Sequence, residues 1–168
     1  MKYITIFLVL LVLLGCDQKA PIKIQEENWS KRKSTISMVD SLTITGKSYL
    51  SVYSQMYSYT QKEKYNLTGM ISLRNVSEKD TIFISRADYF NTEGLKIRTY
   101  FNYPIYVSPM ETLEIVIDQE DIEGGTGSNF IFEWSIPKNC PEPLFEGVMN
   151  SMQGTQGVSF TTHGKRIE

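Results

Sequence analysis

The sequence predicts an all-β domain over residues 48–168, an antiparallel two-sheet β-sandwich of the immunoglobulin-like type with seven or eight strands. Two observations support this prediction. Apolar and polar residues alternate in several short runs, and glycine, proline or polar residues separate those runs. Alternation with a period of two places one face of a strand in a core and the other in water. No stretch shows a convincing helical period.

The alternating runs give the expected strands. The strongest run places Phe130, Phe132, Trp134 and Ile136 on one face, and similar runs occupy residues 67–73, 113–117 and 158–162. Because successive side chains of a strand point to opposite faces, the run at residues 82–89 should divide in two. We expect one face to carry Ile82 and Ile84, and the other Phe83, Ala87 and Tyr89.

The segments between these runs have the composition of turns. Asn91-Thr92-Glu93-Gly94 predicts a hairpin turn with a positive φ near its end. Residues 118–128 form a long loop that is first acidic and then rich in glycine. Three prolines after Trp134 should end its strand, because proline cannot donate to a β-ladder.

The first fifteen residues have the order typical of a bacterial lipoprotein signal peptide. Lys2 precedes an almost wholly apolar run at residues 4–14, and Leu13-Leu14-Gly15-Cys16 resembles a lipobox. The run is shorter than the ~20 apolar residues of a membrane-spanning helix, so we interpret residues 1–15 as a cleaved signal. Cys16 is then expected to become a lipidated N-terminus that carries fatty acids such as palmitate.

Acylation of Cys16 would anchor the protein without a membrane-spanning segment, because two or more acyl chains bind a bilayer firmly. The expected location is therefore the cell envelope, with the membrane and its face left open. Residues 16–47 are rich in Lys, Gln, Glu, Asn and Ser and are predicted to form a flexible tether. The expected partners are the membrane, through the lipid, and an envelope protein or glycan.

The charge and cysteine content exclude some functions. Residues 48–168 hold ten basic and fifteen acidic side chains, whereas nucleic-acid-binding domains usually carry a basic stripe. We therefore expect no nucleic-acid partner. With Cys16 acylated, Cys140 is the remaining cysteine. No neighbour in sequence supplies a base to activate it, so we interpret Cys140 as a structural thiol.

Several stretches resemble the bacterial family known as domain of unknown function 3124, and they follow one another across residues 48–167. The most specific is the Gly-Gly-x-Gly-x-Asn-Phe pattern ahead of Glu-x-Trp, at residues 124–134. The resemblance implies a small secreted or lipid-anchored protein, and it transfers no catalytic residue. The other matching stretches are Leu73-Arg74-Asn75, residues 88–94, Glu142-Pro143, residues 146–149 and residues 156–160.

The glycine-rich loop is the candidate ligand site of the sequence, with Gly124, Gly125, Gly127, Ser128 and Asn129 as its residues. Three glycines allow backbone N–H groups to converge on an anion. A phosphate-binding loop would also need a following Lys-Ser/Thr pair and a helix, and neither is predicted here. The other interpretation is a tight turn into a buried strand, with glycine where φ is positive. We favour the second.

Other chemical constellations are weak. Asp118, Glu120, Asp121 and Glu123 could supply oxygen ligands to calcium, but their spacing departs from an EF-hand, and we interpret them as a solvated loop. His163 is the only histidine, and no Gly-x-Ser-x-Gly nucleophile motif occurs. We therefore predict no catalytic residue, no metal site and no cofactor.

Four tyrosines, Tyr49, Tyr53, Tyr57 and Tyr59, lie close together in the sequence. Tyrosine is enriched at recognition surfaces, although we favour edge-strand tyrosines with solvated hydroxyls. The leading hypothesis is a non-catalytic binding or structural module of the cell envelope. The alternative is a ligand-carrying protein or hydrolase-like enzyme with its site near residues 124–129.

Overall fold

The computed structural model describes residues 28–34 and 43–168. The predicted signal peptide, Cys16 and much of the predicted tether lie outside the described residues. Within the described ranges the chain forms twelve β-strands in three sheets, with antiparallel pairing throughout, and one 3₁₀ turn at Trp29–Arg32. The all-β, antiparallel prediction is confirmed. The predicted count of seven or eight strands is too low, because several strands have only two or three residues.

The largest sheet has six strands. They are β1 (Thr43–Val52), β5 (Ile82–Phe90), β6 (Lys96–Phe101), β7 (Ile105–Val107), β9 (Ser128–Pro137) and β12 (Lys165–Arg166). Their order is β12-β1-β9-β5-β6, and β7 also pairs with β5. The long central strands β1 and β9 pair along their whole length, from Thr43 opposite Pro137 to Val52 opposite Ser128.

The second sheet has four strands in the order β11-β10-β4-β8. A separate hairpin forms the third sheet and connects β1 to the second sheet. The second sheet contains β4 (Thr68–Arg74), β8 (Thr112–Ile117), β10 (Leu144–Gln153) and β11 (Gln156–His163), and the hairpin contains β2 (Gln55–Tyr57) and β3 (Lys64–Asn66).

The core draws side chains from both larger sheets into one buried cluster. Strand β9 alternates strictly between buried and partly exposed residues, which confirms the predicted face of Phe130, Phe132, Trp134 and Ile136. The Phe132 ring stacks on Phe145 of β10 with their centroids 4.3 Å apart. Stacked aromatic pairs stabilise a fold beyond the area they bury, by about 0.5–1.5 kcal/mol.

The prediction that Ala87 and Tyr89 face away from Ile82 and Ile84 on β5 is wrong. Ile82, Ile84, Ala87 and Tyr89 all lie in the same core cluster, although the simple alternation placed the last two on the opposite face. The pairing of β5 with β9 shifts register between Ile84 and Arg86. One extra residue in a strand reverses the facing of every residue after it. This irregularity directs Tyr89 inward, where it becomes part of the candidate site.

The folded domain begins before residue 48, since β1 starts at Thr43. Part of the predicted tether also packs on the domain. The Trp29 ring lies 5.0 Å from that of Phe101, the Ser34 N–H donates to the Pro104 carbonyl at 2.8 Å, and Arg32 pairs with a Glu111 carboxylate oxygen at 2.8 Å. Within the described residues, no helix is long and apolar enough to cross a membrane.

Candidate functional site

Several loops meet at the end of the domain where β1 finishes and β9 begins. Val52 pairs with Ser128 there, so the loop at residues 124–127 lies beside the β2–β3 hairpin. The turn between β10 and β11 lies at the same end, because β10 runs from the Arg74 end of β4 past Thr68. Two of these regions are candidates for function: the glycine-rich loop and a cleft beside the hairpin.

The glycine-rich loop uses its backbone groups within the protein. The Gly125 carbonyl accepts hydrogen bonds from the N–H groups of Ser54 (3.1 Å) and Gln55 (3.0 Å). The Gly124 carbonyl accepts from the N–H and the hydroxyl of Thr92, at 3.1 and 3.0 Å, and the Gly127 N–H donates to the Thr92 Oγ1 at 3.0 Å. The loop therefore fastens the start of the hairpin to the turn after β5.

A chain of buried hydroxyls lies beneath the loop. The Tyr89 and Ser54 hydroxyls are 2.8 Å apart, Tyr89 donates to Ser128 at 3.1 Å, and Ser128 donates to the Val52 carbonyl at 2.8 Å. Burial raises the pKa of Tyr89, although the two serine hydrogen bonds partly offset it. The phenol therefore keeps its proton at neutral pH and can serve as a donor.

Gly124 has no side chain because the hydroxyl chain occupies that space. A Cβ at this position would lie 1.9 Å from the Tyr89 hydroxyl and 2.8 Å from that of Ser128. At Gly125 the φ angle is +71°, which favours glycine. These features fit the interpretation of a tight turn into a buried strand. As a ligand site the loop, including Ser128 and Asn129 at the start of β9, stays a prediction.

Arg98 pairs with two of the acidic residues that precede the glycine-rich loop. Its Nη1 donates to Asp121 (2.8 Å) and to the Tyr100 hydroxyl (3.1 Å), and its Nη2 donates to Glu123 at 3.2 Å. The guanidinium also lies 6.0 Å from the centre of the Tyr89 ring. Partial burial opposes the charge, but the hydrogen bonds to Asp121 and Tyr100 raise the pKa of Arg98 above its ordinary value. Asp121 and Glu123, two of the four residues considered as calcium ligands, are thus already paired with Arg98.

The second region is a cleft of about 260 Å³ between the β2–β3 hairpin and the β10–β11 hairpin. We call it the tyrosine cleft. The hairpin contributes Ser58, Tyr59 and Tyr65, and the second sheet contributes Ser151 of β10 and residues 156–158 at the start of β11. The described lining residues are serine, tyrosine, glutamine, glycine and valine, and Tyr59 is 82% exposed.

The hairpin that carries the tyrosines is closed by its own hydrogen bonds. The Ser58 N–H donates to the Glu63 carbonyl at 2.9 Å, and the Gln55 side-chain amide donates to the Asn66 side-chain oxygen at 2.9 Å. The Leu67 N–H donates to the Ser54 carbonyl at 2.8 Å. Because Ser54 also belongs to the buried hydroxyl chain, the glycine-rich loop holds one wall of the cleft in position.

The four tyrosines of the sequence cluster have different environments. Tyr53 packs edge-on against Phe160 with centroids 5.7 Å apart, and Tyr49 is partly exposed on β1. Tyr57 is exposed beneath the Lys64 ammonium, and of the four only Tyr59 lines the cleft. The sequence analysis missed the other lining residues. Alternating Tyr57-Ser58-Tyr59 with Tyr65 a few residues later was the available signal for a tyrosine-bearing hairpin.

The remaining sequence candidates lie elsewhere. His163 is 3.5 Å from Glu146, and the strand register places Glu146 between His163 and Ser72 across the second sheet. A serine triad needs the histidine in the middle, so this row does not have that order. Burial raises the pKa of Cys140, which disfavours a reactive thiolate. Among residues 28–34 and 43–168, no three His, Cys, Asp or Glu side chains are grouped to hold a metal.

Comparisons with known proteins place the chain in a family without a known activity. A search of curated proteins gives no match. A crystal structure of Thermotoga maritima 1070 is similar with a TM-score of 0.43 and 13% identity, over 71% of this chain and 92% of that one. The family model described as "Protein of unknown function (DUF3124)" matches residues 45–167. The chain therefore belongs to the DUF3124 family of proteins of unknown function.

Proposed function

We propose that this protein is a cell-envelope lipoprotein whose β-domain is a non-catalytic binding module. The signal pattern of residues 1–15 and the lipobox at Cys16 support membrane anchoring through fatty acids. The expected partner is an envelope protein or glycan presented near that membrane. The acidic balance of residues 48–168 argues against a nucleic-acid partner.

We also infer that the two larger sheets form the layers of an immunoglobulin-like sandwich. The stacking of Phe132 on Phe145 across the sheets supports this arrangement. So does the hydrogen bond from the Thr162 hydroxyl of β11 to the Ser51 carbonyl of β1, at 2.7 Å. Sandwich domains commonly carry binding loops at their ends, where a rigid scaffold positions them.

The tyrosine cleft is the observation that supports binding most strongly. Tyr59 exposes a large ring to solvent at the rim of a concave surface whose hairpin is held by hydrogen bonds. Rings of this kind offer contact area at a small cost in conformational entropy, while serine and glycine nearby supply adaptable hydrogen bonds. The combination is typical of recognition surfaces.

The alternative, a ligand or catalytic site at residues 124–129, has less support. The Gly124 and Gly125 carbonyls and the Gly127 N–H already have partners within the protein. The Arg98 guanidinium beside the loop is already paired with Asp121 and Glu123, so it is not available to an anion. These contacts favour a positioning role for the loop.

Crosslinking in living cells tests the binding function. A photoreactive phenylalanine analogue replaces Tyr59 in the full-length protein, and the same analogue at Tyr106, a partly exposed tyrosine on β7, serves as the control. We expect a reproducible adduct from position 59 and none from position 106. Equal capture at both positions, or no capture at either, would contradict a binding module centred on the cleft.

Fatty-acid labelling tests the anchor. Cells grown with an alkyne-bearing palmitate analogue should label the wild-type protein, and the Cys16→Ser variant should lose the label, because the thiol is the acceptor. Cys140→Ser is the matched control and should keep it. Labelling that survives Cys16→Ser would remove the lipoprotein proposal.

A further inference from the structure

We propose that the ligand of the tyrosine cleft is a neutral saccharide, one sugar ring of which occupies the cleft. This inference rests on the proposed binding function and names the chemical class that the cleft would select. It is carried by the size of the cleft, the chemistry of its lining and the position of nearby charges.

The size of the cleft suits a small ring or the end of a chain. Its volume of about 260 Å³ is just below the ~300–1,000 Å³ range typical of sites for drug-sized molecules. The cleft is open on one side, and Tyr59 stands at the rim with most of its surface in water. A polymer could therefore place one unit inside while its neighbours remain outside the domain.

The lining offers two kinds of contact that a sugar ring needs. Tyr59 and Tyr65 provide ring surfaces for the apolar C–H face of a pyranose, since an aromatic face carries partial negative charge. Ser58 and Gln156 provide hydroxyl and amide groups that both donate and accept hydrogen bonds. A polyhydroxylated ligand also both donates and accepts at each hydroxyl, so these groups match it.

Charge near the cleft argues against ionic ligands. The described residues that line the cleft include no Lys, Arg, Asp, Glu or His. The Lys64 ammonium, on the same hairpin, lies 5.3 Å from the centre of the Tyr57 ring, and Tyr57 does not line the cleft. Binding of phosphate or carboxylate groups usually relies on Arg or Lys, and binding of hard cations relies on carboxylates.

The lining is also a poor match for a lipid chain. An acyl chain needs continuous apolar walls, and among the described lining residues Val158 is the only aliphatic side chain. The hydroxyl of Ser58 and the amide of Gln156 would lose water without gaining a partner, which costs free energy. A neutral, hydroxyl-rich ligand avoids this cost because it replaces the hydrogen bonds to water.

Saturation-transfer NMR tests the proposal on the full-length protein in a detergent that has no sugar headgroup. The probes are maltotriose, cellotriose and chitotriose, with a trimer of galacturonic acid as the charged counterpart. We expect at least one neutral trisaccharide to bind and the acidic trimer to bind at least about tenfold more weakly. Tyr59→Ala should weaken binding about tenfold or more, because it removes a ring on which the sugar is proposed to pack.

Two further variants separate the ring from general effects on the fold. Tyr59→Trp keeps an aromatic face and should retain binding within about threefold, and Tyr106→Ala removes a tyrosine outside the cleft and should leave binding unchanged. Tyr59 is mostly solvent-exposed, so the changes at this position should leave the domain folded. Binding that is unaffected by Tyr59→Ala would place the saccharide elsewhere and overturn the site.

The absence of binding by any neutral trisaccharide, or equal binding of the acidic trimer, would overturn the saccharide assignment. The proposed binding function would then still stand if the analogue at position 59 captured a polypeptide in cells and the control position did not. Failure of both experiments would overturn the binding function as well.

Discussion

The glycine-rich loop and the tyrosine cleft lie at the same end of the domain, but they use their polar groups in opposite ways. The loop directs its carbonyls and N–H groups to Ser54, Gln55 and Thr92 of its own chain. The cleft instead presents the Tyr59 ring to solvent beside a group of uncharged polar side chains. The loop carbonyls bind within the fold, whereas the Tyr59 ring of the cleft faces solvent.

This difference shows that an unusual sequence motif can have a structural explanation. The Gly-Gly-x-Gly stretch is distinctive because a Cβ at Gly124 would overlap the Tyr89 hydroxyl and because Gly125 has a positive φ. Both requirements are structural. The consequence for function is indirect, since the loop holds Ser54 and Gln55 at the start of the hairpin that forms the cleft.

The largest expected effect comes from adding a methyl group to the loop. Gly124→Ala places a Cβ against the Tyr89, Ser54 and Ser128 hydroxyls, so we expect a loss of about 2–4 kcal/mol in the free energy of unfolding from overpacking and broken hydrogen bonds. Gly127→Ala is the matched control, because its Cβ would meet the Thr92 methyl at an ordinary 3.5 Å. Urea denaturation measures both, and equal losses would contradict the role given to Gly124.

A smaller effect is expected from Tyr89→Phe. The change removes the phenol that joins Ser54 to Ser128 while keeping the ring that stacks on Phe130. Leaving buried hydroxyls without this partner should cost about 1–2 kcal/mol. The same denaturation experiment measures the change. A stability equal to that of the wild type would mean that the hydroxyl chain does not stabilise the loop.

The pH dependence of stability offers a third test of the loop. Burial raises the pKa of Tyr89 above its ordinary value of 10.0, so the folded protein holds this proton more tightly than the unfolded chain. The contribution to stability is complete below pH 10.0 and is lost as the pH rises through the folded pKa. We expect the free energy of unfolding to fall above this pH, and to fall less steeply in Tyr89→Phe. Parallel curves for the two proteins would contradict a buried Tyr89.

The smallest expected effect on stability belongs to the cleft. Tyr59→Ala should change the free energy of unfolding by less than about 0.5 kcal/mol, because the side chain is mostly exposed. The urea midpoint is the measurement. A loss above about 2 kcal/mol would show that Tyr59 is part of the structural framework and is not held ready for a ligand.

The sequence predicted most of the strands whose buried faces are mainly apolar. The faces of β9 and β8 alternate regularly, and both strands appear where expected. Strand β10 gave no such pattern because its buried face includes Gly147 and Ser151. A Cβ at Gly147 would lie 2.7 Å from the Thr162 hydroxyl, so an apolar side chain has no space there. Because Gly147 and Ser151 stand on the buried face of β10, the sequence of this strand lacks a regular apolar alternation.

The candidate site was less predictable for a different reason. The sequence marked Tyr59 as one of four tyrosines that could form a binding surface. The cleft, however, joins residues 58–65 with residues 151–158, which are far apart in the sequence. Their proximity depends on the order of strands in the second sheet, which periodicity does not reveal. The inward position of Tyr89 likewise depends on a register shift in β5, which the alternation alone did not predict.

Chemical-shift mapping tests the central distinction between the two regions most directly. The full-length, isotope-labelled protein is titrated with the neutral trisaccharide that gives the strongest saturation-transfer signal, and backbone amide shifts are followed. We predict that the shifts cluster at residues 58–65 and 151–158, while those of residues 124–129 remain nearly unchanged. Shifts centred on residues 124–129 would contradict the account and make the glycine-rich loop the binding site.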